Sequence, residues 1–169
     1  MRGTISKSCG RRAPPDGDRV PKRRIVHKVP QSAGQMFGLV ADVEAYPRFL
    51  PGCKDLKVLS SREADGKRLI VADMVVGYKM MTETFRSEVT IDEADKSIKV
   101  HYVRGPFRHL DNDWRFRDLP EGGSEIAFFI DFELKQRRLG LLVGGLFEHV
   151  FMRLIDAFES RARSVFPVV

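Results

Sequence analysis

The sequence predicts an α+β domain: a bent antiparallel sheet of about seven strands wrapped round one long C-terminal helix, with two short helices after the first strand. Three observations carry this. From Leu139 to Phe166 apolar residues recur at i, i+3, i+4 and i+7 through Val143, Leu146, Phe147, Val150, Phe151, Leu154, Ile155 and Phe158, the stripe of an amphipathic helix. From Lys54 onward the period changes to two, and turn signals separate the alternating runs. One apolar sheet face and one apolar helix stripe remain, and each needs the other as its cover.

Taken in order, the chain opens with a basic tail, residues 1–21, followed by a single domain over 22–169. Residues 1–24 hold eight of the 29 basic groups and two of the 23 acidic ones, which leaves 21 of each over 25–169. The body is therefore neutral, and this gives little support to a phosphate-binding face. The tail has no apolar run, which excludes a secretory signal peptide. It is Arg-rich and acid-poor like an organellar transit peptide, but Pro14, Pro15, Gly17 and Pro21 spoil an amphipathic helix, and it reads as a disordered extension or an over-called start. Cys9 and Cys53 make neither a disulfide framework nor a metal-ligand spacing, which fits a reducing compartment.

Order begins near Lys22. A first strand covers Arg24–Val29 and ends at Pro30. Ser32 is a good N-cap for a short helix to about Asp42, marked by Met36, Phe37, Leu39 and Val40. Tyr46-Pro-Arg-Phe-Leu-Pro51 is bracketed by two prolines and fits one helical turn. Strands follow at about Leu56–Ser61, Arg68–Val76, Thr82–Ile91, Ser97–Val103, Leu110–Arg117 and Glu125–Leu134, a meander of hairpins. Alternation puts Phe85, Val89, Ile91, Leu110, Trp114, Phe116, Ile126, Phe128, Ile130 and Phe132 on the inner face, with Arg86, Glu88, Asp111, Asp113 and Asp131 outside. The closing helix would run roughly 40 Å. Its uncharged opening, Leu139 to Phe147, is nine residues long, against the roughly 20 that cross a bilayer. Gly140, Gly144 and Gly145 there would allow a close approach of sheet or ligand.

Catalytic patterns are missing from the sequence: there is no GxSxG, HExxH, GxxxxGK[ST] or GxGxxG. His27, His101, His109 and His149 share no ligand spacing and read as surface or rim groups. Cys53 follows a Pro-Gly turn beside apolar residues and reads as a structural thiol. Asp111 and Asp113 fall on the wet face, whereas paired-carboxylate catalysis needs a sequestered pair. Two segments stand apart: Tyr46–Cys53, with Phe49 and Leu50 between rigid prolines, and Gly105-Pro-Phe-Arg-His-Leu110, leading into Trp114. Together with the Phe-rich inner face they point to an apolar hollow.

YPRFLPGC, GPFRHLDNDWRF and the closing helix ending FESRAR resemble the coenzyme Q-binding branch of the START (helix-grip, polyketide cyclase-like) superfamily over roughly Lys22 to Phe166. The resemblance implies a hydrophobic tunnel for ubiquinone and a role as a lipid chaperone in respiration or quinone synthesis, not as an enzyme. It implies no catalytic residue, metal or further cofactor. Its motif residues fall on Tyr46, Pro47, Phe49, Leu50, Pro51, Gly105, Pro106, Phe107, Leu110, Trp114 and Phe116. With the helix stripe, the expected tunnel lining is Phe49, Leu50, Pro51, Phe107, Leu110, Trp114, Phe116, Phe128, Leu146, Phe147, Val150, Phe151 and Leu154. Tyr102, Asn112 or the Trp114 indole N–H would donate to the quinone carbonyls. Gly52 departs from the family pattern, in which an aromatic often precedes the cysteine.

The expected partners are a polyisoprenoid lipid and, peripherally, a respiratory membrane, with no DNA. The expected place is the bacterial cytoplasm beside the inner membrane, or the matrix side of the mitochondrial inner membrane. Some bacterial relatives of the same branch are known as ribosome-associated toxins, which makes a ribosome-binding growth inhibitor the first alternative. A START-like aromatase or cyclase is the second, and it predicts ionisable groups pointing inward.

Overall fold

A computed structural model describes residues 22–78, 80–135 and 137–167, without the side chains of Tyr78 and Met81; within the last helix it describes side chains from His149 onward, Val150 excepted. The tail expectation lies outside these residues, as do the close approach expected at Gly140, Gly144 and Gly145 and the side chains of Leu146, Phe147 and Val150.

The elements are β1 (Lys22–Val29), α1 (Ala33–Ala41), a 3-10 helix (Val43–Arg48), β2 (Cys53–Ala64), β3 (Lys67–Tyr78), β4 (Met81–Asp92), β5 (Ser97–Arg104), β6 (Phe107–Asp118), β7 (Ser124–Leu134) and α2 (Arg137–Val165). One antiparallel sheet of seven strands has the order β1-β7-β6-β5-β4-β3-β2. The meander from β2 to β7 is the expected one, and β1 adds beside β7, with Ile25 opposite Phe128. The expected fold class is the observed one.

Ser32 caps α1 with a reciprocal box: its Oγ accepts from Gln35 N–H at 3.2 Å, and Gln35 Oε1 accepts from Ser32 N–H at 2.9 Å. Asp118 Oδ1, at the end of β6, accepts from the buried Ala33 N–H at 2.7 Å and so ties the helix start to the sheet. The helical turn of the Tyr-Pro segment begins earlier than its prolines indicate, at Val43. Pro47 lies inside it and Pro51 falls in the following turn. Pro47 has no N–H to donate, and i→i+3 bonding tolerates that over a short piece.

Strands β2, β3 and β6 run 12 residues each, longer than the alternation predicts. Register shifts at Cys53/Asp55 and Val58/Ser60 explain β2: each bulge resets the side-chain phase while backbone pairing continues. The β2–β3 hairpin turns through Asp65 and Gly66, with φ of 51° and 70°, the left-handed pair that two-residue hairpins favour.

The sheet curls so that its hairpins form two ends. The lower end holds the β2–β3, β4–β5 and β6–β7 turns together with α1. The upper end holds the β3–β4 and β5–β6 turns and the start of α2. Most of the buried core lies low: Met36, Phe37 and Val40 of α1 pack with Ile70, Val89, Ile91, Ile98, Phe116 and Phe158. A second cluster, Leu110, Phe128, Ile130, Phe132 and Phe151, lies higher along β6, β7 and α2. Trp114 packs against both.

Candidate functional site

The inner face is built by strands whose alternate residues turn towards α2. Its lower half is shut: Ile70, Ala72, Val89, Ile91 and Ile98 are all buried. Its upper half differs on the β2–β5 side. Leu56, Met74, Val76, Phe85, Val100 and Tyr102 share that face yet remain partly exposed. Edge-on rings continue the band to β7, with Phe107 meeting Phe85, Tyr102 and Phe132 at centroid distances of 5.8, 5.6 and 6.1 Å.

Polar groups on this band are few. Tyr102 Oη accepts from Phe107 N–H at 3.2 Å, which leaves its own proton to donate. Asn112 stands between Val100 and Ile130 in register, and its Oδ1 is buried with no hydrogen-bond partner among the described residues. A buried amide oxygen without a partner costs roughly 1–3 kcal/mol.

The expected lining residues divide. Phe128 stacks on Phe151 at 4.9 Å and meets Trp114 at 4.3 Å. Phe158 joins Trp114 to Tyr46 and Phe49 of the 3-10 segment at 5.4–5.7 Å. Around Trp114, Phe128 and Phe151 only about 30 Å³ is left, room for one water. Leu50 and Phe116 are buried in the lower core, Leu154 packs against it, and Pro51 is exposed. Leu110 is buried beside Phe107 in the upper cluster. The partly exposed band was legible only in part: the alternation marks Phe85, but Leu56, Met74 and Val100 carry no signal of exposure.

A second hollow, about 580 Å³, opens at the lower end between α1, the 3-10 helix and β2–β4. Its floor is Phe37, Val58, Ile70 and Ile91, and its rim carries Asp42, Glu44, Arg68, Glu93 and Lys96. None of the sequence-expected residues lines it.

The titratable groups sit as surface and structural groups. His101 Nδ1 lies 2.6 Å from Asp111, and His109 Nε2 lies 3.0 Å from Asp131, both on the outer face. His27 pairs with Glu159 at the sheet edge, and His149 is exposed. Cys53 is buried, and burial, with Asp55 nearby, pushes its thiol up to about 11. Burial, with Asp42 and Cys53 adding, pushes the Tyr46 phenol well above its ordinary value, and its hydroxyl donates to Val40 O. Among the described residues no group of three His, Cys, Asp or Glu could hold a metal ion. No helix there is long and apolar enough to cross a membrane.

Residues 29–159 match the model of the polyketide cyclase / dehydrase and lipid transport family. The chain belongs to this family. As a START-like domain it has the helix-grip fold, shared with a START superfamily protein from Mycobacterium smegmatis at a TM-score of 0.73 and 23% identity, over 85% of this chain and 98% of that one. The ribosome association toxin RatA of Escherichia coli K12 is 35% identical over 138 residues, 82% of this chain and 84% of the toxin. The mitochondrial coenzyme Q-binding protein COQ10 homolog B of Xenopus laevis is 31% identical over 144 residues, 80% of this chain and 55% of that protein. The family spans cyclases and lipid carriers, so membership alone leaves both open.

Proposed function

We propose that residues 22–169 form a non-enzymatic ubiquinone carrier that holds its lipid on the upper inner face of the sheet. The observation that carries this reading is the partly exposed apolar band from Leu56 to Phe107 beside the unpartnered amide oxygen of Asn112. An isoprenoid chain offers nothing but apolar surface, and at about 25 cal/mol per Å² a contact of roughly 400 Å² supplies about 10 kcal/mol. That offsets much of the cost of association. The Asn112 amide, turned over, presents N–H groups to a quinone carbonyl, and the Tyr102 hydroxyl has a proton to give. The lower hollow suits an isoprenoid less well, because its rim would have to desolvate five charged groups of both signs.

Carriage implies delivery, and the likeness to the COQ10 homolog supports a station at a respiratory membrane. In a bacterium that is the cytoplasmic face of the inner membrane, and in a mitochondrion the matrix face. Ribosome association is the second reading, favoured by the likeness to RatA. Solvent extraction of the purified chain, followed by mass spectrometry, separates the two. Co-purified quinone, depleted by Asn112→Leu with the fold retained, is the expected result. Absence of quinone, with migration on a ribosomal particle in a sucrose gradient, would overturn the proposal.

A further inference from the structure

Neutrality of the body conceals a separation of charge from end to end. At the upper end, residues 22–24, 54–55, 80–83, 104–108 and 131–138 hold nine basic and four acidic groups. At the lower end, residues 28–30, 41–45, 62–68, 92–99, 117–125 and 159–165 hold nine basic and eleven acidic groups. The 12 residues of β3 separate the two ends by roughly 36–40 Å. Screening at physiological salt acts over about 8 Å, so a partner at one end feels that end alone.

Two of the upper acids are already engaged: Asp131 with Lys22 at 3.1 Å and Glu133 with Arg108 at 3.3 Å. Lys54 and Lys135 instead hold neutral acceptors, Thr82 Oγ1 at 3.0 Å and Gly105 O at 2.8 Å. Arg104 is exposed, opposite Arg86 in register and within electrostatic reach of Asp73, and α2 begins at this end with Arg137 and Arg138 and no acid in its first turn. At the tip of the β3–β4 hairpin stands Met80, its side chain wholly exposed. A phosphate backbone has no use for a projecting thioether, whereas a bilayer interface accepts one between cationic neighbours.

We infer that the upper end is a docking face for an anionic lipid bilayer, with Met80 entering the interface and Lys54, Arg104 and Lys135 resting on lipid phosphates. The acidic lower end is repelled, so the molecule settles with the open half of its inner face towards the membrane. This goes beyond the choice of ligand and holds for vesicles that contain no quinone.

The test is flotation of the full chain with vesicles of phosphatidylcholine alone or mixed with phosphatidylglycerol. Lys54→Glu/Arg104→Glu is compared with Arg62→Glu/Lys99→Glu, a lower-end pair of equal charge change that leaves the basic tail untouched. The upper pair should lower partition into anionic vesicles by about tenfold or more, and the lower pair should leave it near wild type. Met80→Ser should lower it further, with the melting temperature unchanged. Equal losses for the two pairs would mean that net charge or the tail drives binding, and would overturn the inference. So would a wild-type chain that binds ribosomal RNA but not vesicles, with Met80→Ser silent.

Discussion

Gly105→Ala tests how the β5–β6 turn holds the aromatic band. Gly105 has φ of +141°, a backbone conformation rare for any residue with a Cβ. An added Cβ would lie 2.6 Å from Phe85 Cβ, 2.9 Å from Phe85 Cα and 3.0 Å from Thr84 O. Two of those atoms are β4 backbone and cannot rotate away. Strain of about 1–3 kcal/mol from the dihedral and about 1–3 kcal/mol from overpacking gives a loss of roughly 2–6 kcal/mol. For a chain of this length that lowers the melting temperature by about 4–24 °C. Gly38→Ala is the control of opposite sign. It lies within α1 with nothing within 4 Å of the new methyl, so it should gain about 0.5–1 kcal/mol. Urea unfolding followed by circular dichroism reads both. A Gly105→Ala protein within 0.5 kcal/mol of wild type would show that β4 yields and that the close approach does not hold the turn.

Ser32→Ala should cost about 1 kcal/mol and Asp118→Ala about 1–3 kcal/mol. Both leave amides of the α1 start unsatisfied, so the double variant should lose less than the sum in chemical denaturation. The Arg86 guanidinium, in a two-pronged pair with Asp73 at 2.7 Å, holds that carboxyl below its usual range. The pair therefore stabilises fully above the unfolded carboxyl value, near pH 4, and is lost as pH falls through the lower folded value. Arg86→Leu should flatten that acid limb in a pH series of melting temperatures; an unchanged limb would refute the assignment. In a Cys9→Ser background the raised, buried Cys53 thiol should stay unlabelled by iodoacetamide at pH 8 until the protein unfolds, and prompt labelling by mass shift would contradict its burial. Leu110→Ala/Trp114→Ala, if still folded, should fail to retain quinone, because Trp114 and Leu110 border the proposed band; retention would remove them from the site.

Much of the fold was legible because it rests on local rules. Alternation in Leu110–Arg117 and Glu125–Leu134 separates core from solvent without reference to any partner strand, and the Ser32 cap is read over four residues. Strand ends in β2 were not legible, since bulges shift the phase of the pattern while pairing runs on. The candidate site was legible as a composition, an apolar inner face with rare polar groups, but not as a place. Trp114, Phe128 and Phe151 share the expected face, yet their mutual packing leaves about 30 Å³, while exposure falls on Leu56, Met74 and Phe85.

By itself the sequence determined the class of fold, the partnership of sheet and long helix, and the family resemblance, because hydrophobic periodicity and short motifs are properties of neighbouring residues. Only the tertiary structure decided which half of the inner face stays open. It also decided that a body with as many acids as bases has a basic end and an acidic one. Curvature and the stacking of hairpin turns bring distant charges together, and a sum along the chain is blind to that.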